Sequence, residues 1–362
     1  MKQILHISIS GTMKLVAKTG LFFVVYNLSS HITTGQTISE KIDRVVHEYD
    51  SMGGYNGIII VGFGADSVLT FNYGYQDPLT KKERISLTDR FDLASLAKEF
   101  TGLATVKLIE KGTIHPDDCI GKYLPELKPA LQKVTIKQLA NHTNGIHDFY
   151  SLTTRHDTVN KQEALEMLFQ LDTTVFPPGS KWGYSNSGYL LLSEIIERVT
   201  KMPFQDHCLS EILVPLGMTS ACYLPACGEK LYGYTDELKP VVYNAFSSGE
   251  AGMYASGEDM IAYYQTVCRN PEKWQKYFAL TYKFSEASNT ENWNYGFGWY
   301  FTEDRLGKFR AHSGRNWGAH TYIRWYEKSN TFLCLLSNKK SDHFFKKMRE
   351  ELSDLLVEEM CR

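Results

Sequence analysis

Segments typical of strands lie near both ends of this 362-residue chain, and helical patterns fill the stretch between them. Apolar or β-branched runs predict strands at 57–62 and 68–75, then at 296–301, 322–326 and 331–336. Helices are predicted at 37–49 and 342–360. One sheet that both ends of the chain complete satisfies this layout. We therefore predict an α+β fold: an antiparallel sheet flanked by N- and C-terminal helices, with a mainly helical inserted domain.

The same pattern divides the chain into three parts. A leader-like segment covers residues 1–36. The α/β part covers about 37–115 and 290–362, and the mainly helical part covers about 116–289. Helices of the middle part are predicted at 135–140, 162–171, 188–199 and 259–267.

The leader-like segment has the features of a secretory signal peptide. Two lysines, Lys14 and Lys18, precede the short apolar run Leu21–Tyr26, and the signal could start at Met13. Because the run is short for a bilayer, we expect no stable membrane span. We expect an exported protein, periplasmic or secreted. A buried strand or edge helix of a cytoplasmic protein is the alternative.

Charge and cysteine content argue against several kinds of partner. The formal net charge of −2 gives no reason to expect a nucleic acid. Seven cysteines show no paired spacing, so neither a disulfide framework nor a zinc site is predicted. His-Glu-x-x-His is absent and the histidines are scattered, so we expect no metal.

A Ser-x-x-Lys pattern stands where a turn is predicted to enter a helix, with Ser95 first and Lys98 three residues later. Three residues are close to one helical turn, so the hydroxyl and the amine share a face. A serine hydroxyl needs a base to become a nucleophile, and a lysine with a lowered pKa can be that base. The helix N-terminus would favour an oxyanion beside it.

This spacing alone is not specific, because about one Ser-x-x-Lys is expected by chance in a chain of this length. A second copy, from Ser337 to Lys340, has no obvious chemical role. Ser95 could equally be a helix cap, with Lys98 a solvated side chain. The rest of the chain has to decide between these interpretations.

Two further motifs follow Ser95 in order. Tyr184-Ser185-Asn186 precedes an apolar helix; its phenol could relay protons if a lysine ammonium lowered its pKa, and its amide could hold a substrate amide. His312-Ser313-Gly314 lies between two strand-like runs, where glycine would admit substrate and histidine could supply positive charge or orient the relay. The alternatives are a packed tyrosine with a capping asparagine, and a polar turn.

Ser-x-x-Lys, Tyr-x-Asn and Lys/His-x-Gly in this order resemble the signature of the serine β-lactamase and penicillin-binding-protein superfamily. Residues 139–146 are similar to the His-Thr-Ser-Gly segment of that superfamily. Segments 176–188, 215–218 and 252–260 are similar to its class C and D-Ala-D-Ala-carboxypeptidase branch. The triplet Lys18-Thr19-Gly20 is set aside because it precedes Ser95.

The resemblance implies roles for the residues of these motifs. Ser95 would be the acylated nucleophile, Lys98 would share its proton, and Tyr184 would be the general base or pass a proton to the leaving group. Asn186 would hold the substrate amide. Residues 312–315 would line substrate or oxyanion: His312 where many relatives carry lysine, Ser313, Gly314, and Arg315, whose N–H would complete an oxyanion hole with that of Ser95.

The resemblance implies a monomeric, cofactor-free serine hydrolase that acts through an acyl-enzyme on a small molecule or peptide. The class A Ser-Asp-Asn motif and glutamate loop are not found, and histidine at position 312 weakens the positive charge for a β-lactam carboxylate, although Arg315 could restore it. An esterase, D-aminopeptidase or DD-carboxypeptidase-like activity is therefore favoured over a true β-lactamase. A catalytically silent protein that binds a ligand or cell-wall peptide is the alternative of another class.

Overall fold

The computed structural model describes residues 36–51, 53–154, 159–241, 249–287 and 293–361. The expected leader, apart from Gln36, lies outside these residues. Within them, none of the helices combines the length and the apolar character needed to cross a membrane.

The longer strands lie near both ends of the chain, and consecutive helices fill much of the stretch between them. The α-helices are α1 (Ile38–Ser51), α2 (Lys98–Glu110), α3 (Pro129–Gln132), α4 (Ile136–Ala140), α5 (Lys161–Gln170), α6 (Asn186–Thr200), α7 (Phe204–Cys208), α8 (Gly257–Arg269), α9 (Pro271–Lys283) and α10 (Asp342–Met360). The strands are β1 (Gly57–Phe63), β2 (Ser67–Tyr73), β3 (Arg90–Asp92), β4 (Cys222–Tyr223), β5 (Gly233–Tyr234), β6 (Pro240–Val241), β7 (Met253–Ser256), β8 (Glu286–Ala287), β9 (Asn294–Gly296), β10 (Trp299–Asp304), β11 (Gly307–Arg315), β12 (His320–Tyr326) and β13 (Thr331–Ser337). A 3-10 turn, Ala94–Ala97, leads into α2.

Strands from both ends of the chain form one eight-stranded sheet in the order β2-β1-β13-β12-β11-β10-β9-β8. The last strand pairs antiparallel with the first, so that Gly57 lies opposite Ser337 and Phe63 opposite Thr331. This pairing is the closure that the sequence predicts. The α+β fold class, with an antiparallel sheet and flanking helices, is confirmed.

The central strand β1 is buried on both faces: successive side chains of a strand point to opposite sides, and six consecutive residues of β1 are buried. Ile58 and Ile60 belong to a core shared with the helices of the middle of the chain. Ile59 and Val61 belong to a second core, which α1 and α10 close. The sheet is therefore the middle layer between two helical layers, and the site lies on its α2 side.

Helix α2 is buried almost all round, from Lys98 to Val106. It contacts α6 and α9, so it forms the centre of the helical layer. A second sheet, β3-β7-β4, holds the chain just ahead of it: Phe91 pairs with Ala255, and Leu93 N–H donates to the Met253 carbonyl at 2.9 Å. The Ser95 turn is thus fixed by strands in front and by a buried helix behind.

Two local structures differ from the prediction. The predicted strand 296–301 is divided by a tight turn between β9 and β10, because Phe297 (φ 50°) and Gly298 (φ 90°) are both left-handed. The His312 motif lies between two strands, as predicted, but it is itself part of the nine-residue strand β11 and not a polar turn. Alternating polar residues hid β11 in the sequence, and α9 was not predicted although Pro271 occupies its first turn.

Candidate active site

Ser95 lies in the 3-10 turn that precedes α2. The turn is sharp because Ala94 has a left-handed φ of 48°, which is unfavourable for a residue with a Cβ. Asp92 stabilises it: its carboxylate accepts the Ala94 N–H at 2.8 Å. The sequence predicted a serine in the first helical turn; the structure places it one step earlier, half-buried beside a cleft.

Lys98 is fully buried, and its Nζ lies within hydrogen-bond distance of three oxygens. They are Ser95 Oγ at 3.2 Å, Asn186 Oδ1 at 2.8 Å and the Glu250 carbonyl at 2.7 Å. Burial lowers the pKa of Lys98 to about 7, although the Glu250 and Asp148 carboxylates act in the opposite direction. Near neutral pH, a large fraction of Lys98 is therefore an uncharged amine in contact with the Ser95 hydroxyl.

Tyr184 also reaches Ser95, to which it is hydrogen-bonded. Its ring centroid lies 5.0 Å from Lys98 Nζ and 4.3 Å from the ring centroid of His142. Burial raises the pKa of Tyr184, and the hydrogen bond with Ser95 offsets only part of this. The sequence-based expectation of a phenol with a lowered pKa is therefore wrong, because loss of solvation outweighs the neighbouring amine.

His312 does not supply positive charge to the cleft. Its ring is buried, and its Nε2 lies 3.0 Å from the Tyr295 hydroxyl. Its Nδ1 lies 2.8 Å from the Ser313 carbonyl, which can only accept, so Nδ1 carries the proton. Burial, followed by the charge of Lys98, lowers the pKa of His312 to about 3. The histidine is neutral and positions Tyr295.

Gly314 is needed for a different reason from the one expected. A Cβ at this position would lie 2.1 Å from the Leu93 carbonyl and 3.0 Å from Leu96 N. The missing side chain therefore lets β11 lie directly against the Ser95 turn; the close neighbour is the protein backbone. Ser313, which is half-buried, precedes it on β11.

Arg315 ends β11 at the mouth of the cleft. Its side chain is exposed, and NH1 donates to Asp342 Oδ2 at 3.1 Å. This ion pair occupies the charge that the sequence analysis assigned to a substrate carboxylate. The oxyanion role of the Ser95 and Arg315 N–H groups stays a prediction.

Asn186 is the first residue of α6 and, like the Glu250 carbonyl, is a hydrogen-bond partner of Lys98 Nζ. Its Oδ1 faces Lys98, and its Nδ2 donates to Asp148 Oδ2 at 3.1 Å. The amide expected to hold substrate is thus occupied on both sides by protein groups.

The cleft at Ser95 has a volume of about 410 Å³ and is lined by both parts of the chain. This size suits a small molecule or the end of a peptide. Its walls include Asp92, Ser95, Tyr150, Asn186, Leu224, Gly252, Arg315, Asn316, Trp317 and Lys340. Among the described residues, no cluster of three or more His, Cys, Asp or Glu side chains could hold a metal ion.

The sequence model of the family described as Beta-lactamase matches residues 42–358. The chain belongs to the Beta-lactamase family. The family resemblance drawn from the three motifs is therefore confirmed.

Known proteins similar to this member of the Beta-lactamase family include a sequence relative and two solved structures. Penicillin-binding protein 4* of Bacillus subtilis (strain 168) is 29% identical over 314 residues, which cover 80% of this chain and 69% of that protein. An octameric penicillin-binding protein homologue from Pyrococcus abyssi has a TM-score of 0.76 at 22% identity, over 88% of this chain and 77% of the other. D-amino acid amidase from Ochrobactrum anthropi SV3, in complex with L-phenylalanine amide, has a TM-score of 0.73 at 19% identity, over 88% and 96%. At these identities, the two structures show the shared fold.

Sequence reasoning missed several parts of this Beta-lactamase-family site. Asp148, Tyr295 and the Glu250 carbonyl contact Asn186, His312 and Lys98, respectively. Asp148 comes just after the His-Thr-Asn-Gly segment, so its place in the chain was a usable signal. The disulfide Cys222–Cys227 was also missed; its loop carries Leu224, which lines the cleft.

Proposed function

We propose that this chain is a serine hydrolase that cleaves esters, amides or peptides containing D-amino acids through an acyl-enzyme at Ser95. One observation carries the proposal: the Ser95 hydroxyl lies 3.2 Å from the amine of Lys98, a fully buried lysine whose pKa is about 7. A nucleophile and a base in hydrogen-bond contact are the essential elements of acyl transfer.

In this mechanism Lys98 is the base that activates the nucleophile. The uncharged amine takes the Ser95 proton as Oγ bonds to the substrate carbonyl carbon. The carbonyl oxygen becomes an oxyanion, which the N–H groups of Ser95 and Arg315 would stabilise. Tyr184 has a raised pKa, so it stays protonated and cannot start the reaction. This assigns general base catalysis to the lysine instead of the phenol.

Tyr184 is placed for the next proton transfer. When the tetrahedral intermediate collapses, the bond to the leaving oxygen or nitrogen breaks. The leaving atom takes the phenol proton, and Tyr184 regains one from the Lys98 ammonium. Water then attacks the acyl carbon and gives a proton to the Lys98 amine. When the bond from the acyl carbon to Ser95 Oγ breaks, Oγ takes that proton back and the carboxylic acid product leaves.

The cleft favours an ester, amide or D-amino-acid substrate over a β-lactam antibiotic. His312 is neutral, and Arg315 is paired with Asp342, so neither provides an unopposed cation for a β-lactam carboxylate. The structural likeness to D-amino acid amidase supports an amide substrate of this kind. A β-lactamase proper is the second candidate, which the family assignment favours. A silent binding protein would not need the contact between Ser95 and Lys98.

Reaction with a fluorophosphonate, followed by intact mass and peptide mapping, tests the proposal. A single adduct on Ser95 is expected, and none on the Ser95→Ala variant. Folded protein without an adduct would contradict the proposal and favour the binding protein. Nitrocefin, p-nitrophenyl esters and D-alanyl peptides would then separate the substrate classes.

We also propose that the protein is exported and that it is a monomer. The Cys222–Cys227 disulfide supports an oxidising compartment, because such bonds persist mainly outside the cytosol. The octameric homologue argues against assuming a monomer. N-terminal sequencing of protein from the native host and light scattering in solution test the two proposals.

A further inference from the structure

We propose that Asp148 is a positioning residue, which fixes the Asn186 amide so that its oxygen, and not its nitrogen, faces Lys98. This inference rests on the proposed function, since it concerns the state of Lys98 that activates Ser95. It assigns to Asp148 a part in the reaction although Asp148 does not touch Ser95.

An uncharged Lys98 can form three hydrogen bonds of two different kinds. A neutral amine has two N–H groups and one lone pair. Asn186 Oδ1 at 2.8 Å and the Glu250 carbonyl at 2.7 Å can accept those two N–H groups. The lone pair then faces the third neighbour, Ser95 Oγ, at 3.2 Å. In this arrangement, Lys98 accepts the serine proton.

The orientation of the Asn186 amide decides whether the lone pair of Lys98 is available to Ser95. If the Asn186 side chain were turned over, its NH₂ group would face Lys98 and donate to the lone pair. Lys98 would then be a poor base, because the electrons that must take the serine proton would already hold another hydrogen bond. The direction of one amide thus separates an active from an inactive arrangement.

Asp148 determines which of the two orientations the Asn186 amide adopts. An ionised carboxylate can only accept hydrogen bonds. Asp148 Oδ2 accepts from Asn186 Nδ2 at 3.1 Å and also from the backbone N–H of Asn186 at 2.7 Å. A turned amide would put its oxygen against the carboxylate, which is unfavourable. Asp148 therefore selects the orientation in which Oδ1 reaches Lys98.

Asp148 is itself held in place by the neighbouring backbone. Its Oδ1 accepts the Tyr150 N–H at 3.1 Å and caps a 3-10 turn, Phe149–Leu152. The next residue, Phe149, donates its N–H to Ser187 Oγ at 2.8 Å, which ties this segment to the start of α6. The carboxylate and the amide are therefore anchored to each other independently of Lys98.

The negative charge of Asp148 affects the pKa of Lys98, and a purely structural role of Asp148 would leave that pKa unchanged. Burial is the main cause of the lowered pKa of Lys98, and the Asp148 carboxylate raises that pKa. Removing the charge at residue 148 should lower the pKa of Lys98 further. The titratable or charged groups that face Lys98 are Glu250, Asp148, Tyr184, Tyr189, His142 and His312.

The test measures the rate of fluorophosphonate labelling of Ser95 across pH 5–9 in the full chain. Asp148→Asn keeps the shape and the capping ability of the residue but lets the Asn186 amide turn. We expect its plateau rate to fall by at least about tenfold, within the 10²- to 10⁴-fold that a general base supplies. We also expect its acid limb to move to lower pH. Asp148→Glu, which keeps the charge, should recover part of the rate and the original limb.

Controls separate this inference from the proposed function and from misfolding. Asp172→Asn, at an exposed aspartate, should match the wild type. If the labelling profile of Asp148→Asn had the plateau rate and the acid limb of the wild type, the inference would be overturned and the proposed function would remain intact. Absence of labelling in the wild type would overturn both. If thermal melting shows that Asp148→Asn does not fold, Asp148→Ser, which keeps a capping oxygen, carries the same expectation.

Discussion

The Ser-x-x-Lys pattern occurs twice in the chain, once from Ser95 to Lys98 and once from Ser337 to Lys340, in two different environments. At the first site, a helical turn places Ser95 Oγ 3.2 Å from the fully buried Lys98 Nζ. At the second, Ser337 ends strand β13, and its hydroxyl donates to the Asn56 carbonyl at 2.9 Å. Lys340 lies beyond the strand, with its Nζ 5.0 Å from the ring centroid of Trp317.

The difference shows what a motif needs in order to become chemistry. In a helical turn, residues three apart share a face, whereas residues three apart on a strand point to opposite sides. Burial of Lys98 then lowers its pKa to about 7. Lys340 is partly exposed and lies 4.0 Å from the Asp342 carboxylate. Both sites have the Ser-x-x-Lys spacing. Only the Ser95 site also has a hydroxyl and an amine in contact and a lysine that burial has removed from solvent.

The largest expected effect is the loss of the nucleophile. Ser95→Ala should reduce kcat/KM by on the order of 10⁶-fold, because no other group can form the acyl-enzyme. Ser337→Ala should leave kcat/KM unchanged and cost about 1 kcal/mol of stability for its buried hydrogen bond. Steady-state kinetics and thermal melting of both variants test this difference between the two serines. A loss of activity in Ser337→Ala with a normal fold would contradict it.

Removal of the two lysines should also separate the sites. Lys98→Ala should lower kcat by about 10²- to 10⁴-fold, the usual contribution of a general base. Lys340→Ala should alter KM at most, since Lys340 lines the cleft and its Nζ faces Asp342 and the Trp317 ring. Steady-state kinetics with a p-nitrophenyl ester measure both. A kcat for Lys98→Ala within a few-fold of the wild-type value would remove Lys98 from the proton path.

Tyr184→Phe tests the part of the site that the second copy lacks. The change removes the hydroxyl that hydrogen-bonds to Ser95 and keeps the ring contact with His142. We expect a loss of about 10²-fold in kcat, not additive with the loss in Lys98→Ala because both residues move one proton. Nearly full activity in Tyr184→Phe would contradict the relay.

The fold was readable from the sequence where a pattern is strong. The continuous apolar run of β1 follows from burial on both faces of the strand, and the pattern of α10 follows from burial on one face of the helix. β11 was hidden because a strand beside the Ser95 turn carries polar residues and a glycine, as in His312-Ser313-Gly314. The turn at Phe297 and Gly298 was hidden because aromatic residues continue on both sides of it.

The sequence predicted which residues form the candidate site, but it did not predict their protonation states. Order along the chain predicted Ser95, Lys98, Tyr184 and Asn186, which the structure brings together. It could not predict that burial would raise the pKa of Tyr184 and lower that of His312, because solvation depends on residues distant in sequence. The contact between Asp148 and Asn186 was not predicted because the two residues are 38 positions apart, although the place of Asp148 just after the His-Thr-Asn-Gly segment was a usable signal.

The smallest expected effect is a dependence of Ser95 reactivity on pH, with no counterpart at Ser337. The pKa of Lys98 is lowered from 10.5 to about 7, and only the uncharged amine can accept the serine proton. Between pH 7 and pH 6 the uncharged fraction falls from about one half to about one tenth, so the labelling rate of Ser95 should fall about fivefold. His312, with a pKa of about 3, does not titrate in this range. Fluorophosphonate labelling at constant ionic strength measures the profile, and it does so without knowledge of the substrate. A rate that stays constant down to pH 5 would mean that Lys98 is not the base, and the difference between the two serines would then have to come from Tyr184 and the position of the cleft.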